Sequence, residues 1–179
     1  GIDSLQGQRV LLDFKKQRIA VDDARDLGGN RGYEIIVKAR EKLGQLIITQ
    51  AEINGVRTAV LVDTGSEGTV GNPALLQRLQ RSKQLGEAQM MDVNGAVLNG
   101  PTRVGGTLQI GRASINNFSI AFADAPTFRT LGLTNEPALI LGMSELKLFN
   151  RVAIDFQQRR ILFDLPSSAS DDRDMMRFS

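Results

Sequence analysis

The 179-residue chain contains no cysteine, no histidine and no tryptophan, and only one tyrosine. Each absence removes a chemistry. Without Cys or His there is no thiolate nucleophile, no serine–histidine relay and no usual set of soft metal ligands, so catalysis has to draw on Asp, Glu, Lys, Ser, Thr or Tyr. With so few aromatic residues, eight of them Phe, there is little surface for stacking on nucleic-acid bases. The missing thiols leave the redox compartment open. Long hydrophobic runs are lacking too, so no segment spans a bilayer, and no signal peptide is visible. Gly1 stands where an initiator Met would, which gives the expectation that a leader or a whole upstream region has been removed. The compartment is otherwise unknown, and a periplasmic or other extracytoplasmic location would follow from a removed leader.

An excess of one charge is also absent. Twenty-two Lys and Arg against twenty Asp and Glu leave +2. The basic residues fall in separate places, Lys15 to Arg18, Arg78 to Lys83 and Arg151 to Arg160, and read as solvated faces rather than as a nucleic-acid footprint. What the chain has instead is 41% hydrophobic residues, mostly aliphatic, and eighteen glycines. That balance suits a turn-rich, all-β domain with an aliphatic core.

Arg9 to Val21 reads as two short strands around a Lys-Lys-Gln turn, and residues 22–34, rich in acids and glycines, as a linker. Ile35 to Val37, Leu46 to Ile53 and Thr58 to Val62 are strand-like, with Asn54-Gly55 as a hairpin turn. Asn72 and Pro73 open a short amphipathic helix in which Leu75, Leu76 and Leu79 share a face. Residues 86–124 alternate between apolar and polar and are punctuated by Asn94-Gly95, Asn99-Gly100, Gly105-Gly106 and Gly111, as in a meander of hairpins. Ala138 to Leu141 is a buried-strand run closed by Gly142, followed by a short helix over Ser144 to Phe149 and a closing hairpin from Arg151 to Leu165. The tail from Pro166 is expected to be mobile. Three units result: 1–34 as hairpin and linker, 35–165 as the main lobe, and 166–179 as the tail.

The chain repeats itself. Arg9, Val10, Asp13, Phe14, Arg18 and Ile19 recur at the same spacing as Arg151, Val152, Asp155, Phe156, Arg160 and Ile161, and Gly1 and Leu5 match Gly142 and Leu146 if one residue is inserted. Two readings are open: two hairpins with common turn chemistry, or a chain that starts in the tail end of a preceding homologous unit.

Functionally, the informative stretch is AVLVDTGSEGTV, residues 59–70. An aliphatic strand runs straight into a carboxylate, which is costly to desolvate unless it is hydrogen-bonded. Gly65 permits a tight turn that brings backbone N–H groups to Asp63, Thr64 supplies a hydroxyl to brace the loop, and Ser66 can donate one more bond. Such a loop holds a carboxylate rigidly in a cleft.

With this loop, a glycine-rich hairpin region some way downstream and the Ala138 to Gly142 run leading into a short helix and final strand, the sequence resembles the retropepsin-like aspartic proteases, the single-lobe relatives of pepsin. The resemblance covers roughly Gln45 to Leu165. It implies a closed β-barrel lobe with one or two short helices, a catalytic loop and a β-hairpin flap. It implies peptide-bond hydrolysis by a water held between two carboxylates, with a peptide or protein substrate and no metal or cofactor. Asp63 would be catalytic, with Thr64, Gly65 and Ser66 supporting it. Leu139, Ile140, Leu141 and Gly142 would thread beside that loop. Val93, Asn94, Gly95 and Ala96 would form the flap tip over the substrate, although Asn99-Gly100-Pro101 offers a competing turn and an ordinary exposed hairpin is the simpler alternative. Glu67 departs from the pattern by placing a second acid near the loop, where it either raises the proton affinity of the pair or faces solvent.

That chemistry needs two facing carboxylates, and the sequence holds one Asp-Thr-Gly motif. Asp92 and Asp155 are the other acids flanked by apolar residues, and neither is followed by Thr/Ser-Gly. Asp155, at a hairpin corner, is accounted for by bonding to the turn backbone. The second carboxylate is therefore expected from another lobe, either in a homodimer or upstream in the same full-length chain. Two other functions stay open at this stage: a non-catalytic dimerisation or peptide-binding domain of the same fold, and an ordinary barrel whose Asp63 caps a turn.

Overall fold

The computed structural model of the protein describes residues 8–81, 102–165 and 176–178. Strand β1 (Arg9–Asp13) and β2 (Arg18–Asp22) form the first hairpin. After a turn-rich linker come β3 (Ile35–Lys42), β4 (Gln45–Ile53) and β5 (Val56–Val62), a meander. Between β4 and β5, Asn54 and Gly55 both adopt positive φ, 48° and 84°. That is the requirement of a type I′ turn, which explains why the Asn-Gly pair sits there.

The two-residue β6 (Val70–Gly71) leads into α1 (Pro73–Arg81). Then follow β7 (Thr102–Ile110), β8 (Ala113–Phe122), α2 (Pro126–Thr130), β9 (Ala138–Leu141), α3 (Met143–Leu146), β10 (Arg151–Asp155) and β11 (Arg160–Asp164). Within the expected tail, Met176–Phe178 form β12, antiparallel to β8. Gly105-Gly106 does not turn the chain as expected: both lie inside β7, and the register with β8 shifts just after them, a bulge that lets the strand bend without ending.

All described strands join one mixed sheet in the order β12-β8-β6-β9-β5-β4-β3-β11-β10-β1-β2, with β7 pairing both β4 and β8. The all-β expectation holds, but the sheet is not closed into a barrel. It ends at β12 and β2, and the contact between β7 and β4 is limited to Ala51, Glu52 and Ile53 against Ile110, Gln109 and Leu108. The physical reason is β3, which pairs with β4 through Ala39 to Lys42 and with β11 through Ile35 to Lys38, so the closing hairpins extend away as an arm instead of returning to the starting strands.

The main core lies between α1, which contributes Leu75 and Leu79, and the sheet residues Val60, Leu108, Ile120, Leu139 and Leu141, all buried. A second cluster, on the other side of β5 and β9, joins Ile47, Leu61 and Ile140 to Phe128 of α2. The linker is strapped onto the arm by two arginines. Arg9 donates to Gly29 O (2.6 Å) and Asn30 Oδ1 (2.8 Å), and Arg151 donates to Arg31 O (3.1 Å) while its guanidinium lies 4.2 Å from the centre of the Tyr33 ring. Burial there pushes the Tyr33 phenol above its ordinary pKa. Among the described residues no helix is long and apolar enough to cross a membrane.

Candidate active site

The site is built by β5 and β9. They run parallel, with Ala59 opposite Ala138 and Val62 opposite Leu141, and β9 is inserted between β5 and β6. A strand enclosed on both faces reads as a continuous apolar run, which is why Val60-Leu61-Val62 and Ala138-Leu139-Ile140-Leu141 lack alternation. Because the register is parallel, both strands reach the same level as they end, and the Asp63 N–H donates to Leu141 O at 3.0 Å.

At that level β5 turns out of the sheet. Asp63 is half-buried, its Oδ1 accepts a hydrogen bond from the Gly65 N–H at 2.9 Å, and its carbonyl accepts from the Ser66 N–H at 3.2 Å. A Cβ at position 65 would stand 3.3 Å from Asp63 Oδ1, a tight approach that favours glycine. The Ser66 hydroxyl does not reach the carboxylate: it donates to Gly68 O at 2.7 Å, tying the loop to itself. Thr64 is exposed, and its hydroxyl has no partner among the described residues. Glu67 is also exposed, so of the two possibilities for its side chain it takes the solvent-facing one, while its carbonyl accepts from both the N–H and the hydroxyl of Ser144, each at 2.8 Å.

The exit of β9 holds the loop from behind. Met143 N–H donates to Ser66 O at 2.8 Å. Gly142 lies so close that a Cβ there would be 2.1 Å from Gly68 O and 2.9 Å from Ser66 O. Leu139, Ile140 and Leu141 are buried beside the loop's supporting strand, with Leu139 and Leu141 in the main core and Ile140 in the second cluster. The sequence-predicted residues Asp63 to Ser66 and Leu139 to Gly142 therefore come together. The flap residues Val93, Asn94, Gly95 and Ala96, together with Asp92, lie outside the described residues. Asp155 is remote in role: its Oδ1 accepts from the Gln158 N–H in the hairpin turn (2.8 Å), and its Oδ2 pairs with buried Arg9 (2.8 Å).

Two residues that brace the loop give no clear signal in the sequence. The Gly142 N–H donates to Thr69 Oγ1 at 3.1 Å, and the Thr69 hydroxyl passes its own hydrogen to Glu145 Oε1 in a short hydrogen bond. Thr69 and Glu145 are buried behind the loop. The available signal was an acid three residues past Gly142 on a short helix whose neighbours Leu146 and Phe149 face the core. Thr69→Val keeps the volume but strands the Gly142 N–H and a Glu145 oxygen, so it should destabilise the protein by about 2 kcal/mol, measured by urea unfolding. A midpoint unchanged from the wild type would show that the relay carries no stability.

Asn72 has a comparable bracing role at the start of α1. Fully buried, it accepts from the N–H groups of Leu75 (2.9 Å) and Ala138 (3.1 Å) and donates to Leu133 O (2.7 Å) and Glu136 O (2.8 Å). It thus caps the helix and sets where β9 begins. The acids Asp22, Asp23 and Asp26 form an exposed group in the linker region, distinct from this constellation.

The loop, the strand threaded beside it and the all-β lobe are the setting in which the comparisons with known proteins are read. A family model described as "Aspartyl protease" matches residues 49–144, more than half of the chain, and the protein belongs to that family. Among solved structures it is similar to a retropepsin-like aspartic protease from Rickettsia conorii, with 21% identity, 73% of this chain and 90% of that chain covered, and a TM-score of 0.48. Basic 7S globulin from soybean gives 12% identity and a TM-score of 0.49, with 96% of this chain spanning 54% of that one. The retroviral protease-like domain of Ddi1 from Leishmania major gives 17% identity and a TM-score of 0.40, covering 73% of this chain and 95% of that one. No curated protein matches the sequence significantly.

Proposed function

We propose that the protein is an aspartic endopeptidase in which Asp63 provides one of two catalytic carboxylates and a second lobe provides the other. The observation that carries this reading is the holding of Asp63: Gly65 N–H engages Oδ1, while Oδ2 accepts no hydrogen bond among the described residues. Where the turn-capping Asp155 commits its second oxygen to Arg9, Asp63 keeps its own for a facing carboxyl. Two carboxyls brought to about 3 Å cannot both ionise, so the pair shares one proton. The ionised member takes a proton from the water between them, and the protonated member donates to the scissile carbonyl oxygen. A tetrahedral diol forms without a covalent enzyme adduct, and the leaving amine is protonated as it collapses. Exposed Thr64 lies beside the partner loop in this arrangement and its hydroxyl braces the two loops together.

The test is cleavage of an unbiased peptide library by the full-length protein in the presence of a statyl peptide, whose hydroxyl-bearing carbon imitates the tetrahedral intermediate. Cleavage should stop with the statyl peptide and continue with EDTA. Hydrolysis that persists under a saturating, demonstrably bound statyl peptide would contradict the assignment.

A further inference from the structure

The first hairpin is built as a copy of the last, and the two are joined about a local two-fold axis. Arg9, Asp13, Arg18 and Asp22 correspond to Arg151, Asp155, Arg160 and Asp164, and each hairpin has the same register, Arg9 opposite Asp22 and Arg151 opposite Asp164. Their turns agree as well. Lys16 N–H donates to Asp13 Oδ1 (3.0 Å) as Gln158 N–H donates to Asp155 Oδ1 (2.8 Å), and Gln17 and Arg159 carry φ of 53° and 54°. Common turn chemistry accounts for this much.

It does not account for how the hairpins meet. β1 and β10 pair antiparallel about Leu11 and Ala153, so that Arg9 faces Asp155 and Asp13 faces Arg151. Beyond the strands, Phe14 N–H donates to Asn150 O (2.9 Å), and its counterpart Phe156 N–H donates to Gln8 O (3.0 Å). The strip β2-β1-β10-β11 is therefore two-fold symmetric in register and in backbone hydrogen bonding, while the side chains depart from it: Arg9 bonds Asp155 across the axis and Arg151 bonds Asp164 within its own hairpin.

The symmetry breaks at its outer edges. β11 is followed by β3, with Ile161 opposite Val37 and Phe163 opposite Ile35, and Ile161 and Phe163 are 0% and 1% exposed. Their counterparts on β2, Ile19 and Val21, are 67% and 43% exposed, and β2 has no outer strand among the described residues. Beside this edge a cleft of about 630 Å³ opens between Leu12, Phe14 and Ile19 on the hairpin and Met143 and Lys147 next to the catalytic loop. An apolar edge strand with a cleft beside it is a surface that invites a partner.

We infer that this surface, β2 with the Leu12–Phe14–Ile19–Met143 cleft, seats a second lobe of the same fold that precedes the first hairpin in the same polypeptide and carries its own Asp-Thr/Ser-Gly loop. Two features select this occupant over a second copy of the chain. The strand that has to cover β2 is the counterpart of β3, and in a second copy that edge of β3 is already occupied by its own β11. The position beside β10, where a second copy would place its own β10, is occupied by β1. Only a lobe for which β1 and β2 are themselves the closing hairpin has the required edge free. The symmetry axis would then set the second acidic loop opposite Asp63, a consequence that rests on the function proposed above, whereas the docking itself rests on register and burial.

Because residues 1–179 lack cysteine, single thiols report on the surface. Ile19 and Leu43 are equally exposed here, at 67% each. In the full-length polypeptide, Ile19→Cys should react with a maleimide on the order of 100-fold more slowly than Leu43→Cys, with the unsubstituted protein as background, because labelling needs local opening of the lobe interface. In the 179-residue chain the two should react at similar rates. The full-length protein should sediment as a monomer. Equal labelling rates in the full-length protein, a homodimer formed through this surface, or an upstream reading frame without a homologous lobe would each overturn the proposal. Repeating the labelling on Asp63→Asn separates the two readings: slow labelling at position 19 without any hydrolysis by the parent protein would remove the catalytic reading and leave the docking in place.

Discussion

Asp63→Asn should lower peptide hydrolysis by the full-length protein by roughly 10³-fold or more while leaving unfolding unchanged within about 0.5 kcal/mol. Asparagine retains an oxygen at Oδ1, so the hydrogen bond from the Gly65 N–H survives and the loop keeps its shape. The backbone bonds from Asp63 N–H to Leu141 O and from Ser66 N–H to Asp63 O do not involve the side chain at all. What is lost is the ability to hold or release a proton next to a water, which an amide cannot do near neutral pH. Rate and stability should therefore separate. Glu67→Gln is the control, since Glu67 is exposed and among the described residues only its backbone carbonyl is engaged, and it should change the rate by less than about twofold. Wild-type turnover by Asp63→Asn, or an equal loss in Glu67→Gln, would move the chemistry away from Asp63.

Gly142→Ala should remove both stability and activity, by roughly 3 kcal/mol or more in urea unfolding and with hydrolysis falling in parallel. The added methyl would meet Gly68 O at 2.1 Å, Gly68 C at 2.6 Å and Ser66 O at 2.9 Å, all backbone atoms that cannot rotate out of the way. Either β9 or the loop has to move, and the movement would strain Asp63 N–H to Leu141 O, Met143 N–H to Ser66 O and Gly142 N–H to Thr69 Oγ1 together. The φ of Gly142 is −97°, open to any residue, so the effect would come from crowding and not from backbone strain. A comparison with Gly55→Ala is informative. A Cβ at position 55 meets nothing within 4 Å, and its penalty, from the positive φ of 84°, should be nearer 1 kcal/mol with hydrolysis retained. Equal effects of the two substitutions would show that close packing behind the loop is unimportant.

Much of this lobe was legible along the chain because its signals are local. Asn54-Gly55 marks a turn that needs two positive φ values, Asn72-Pro73 starts a helix, and apolar runs without alternation mark strands buried on both faces. The Asp63-Thr64-Gly65 loop is local as well, since the carboxylate is held by an N–H two residues later. The repeat between the two hairpins was visible for the same reason, as a spacing of Arg, Asp and Phe residues.

Other features depend on pairings between distant segments. Even a short-range turn can be half-hidden: Gly44 at φ 79° suits the tight turn from β3 to β4, but its partner Leu43, an aliphatic residue at φ 52°, gives no turn signal. Gly105-Gly106 reads as a turn, but pairing with β8 carries the strand through it. α2 has little to announce it beyond Pro126, and exists because Phe128 fills the space over Ile47, Leu61 and Ile140. The order of residues along the chain was enough to establish an all-β lobe with one acid-bearing loop and two copies of one hairpin. Folding in three dimensions was needed to show that Thr69 and Glu145 hold Gly142 from behind, that the sheet of described strands stays open, and that the two hairpins meet across a local two-fold axis with one outer edge covered and the other without an outer strand among the described residues. Each of these joins residues tens of positions apart, and a one-dimensional pattern records what a residue can do locally but not which distant partner will be opposite it when the chain closes.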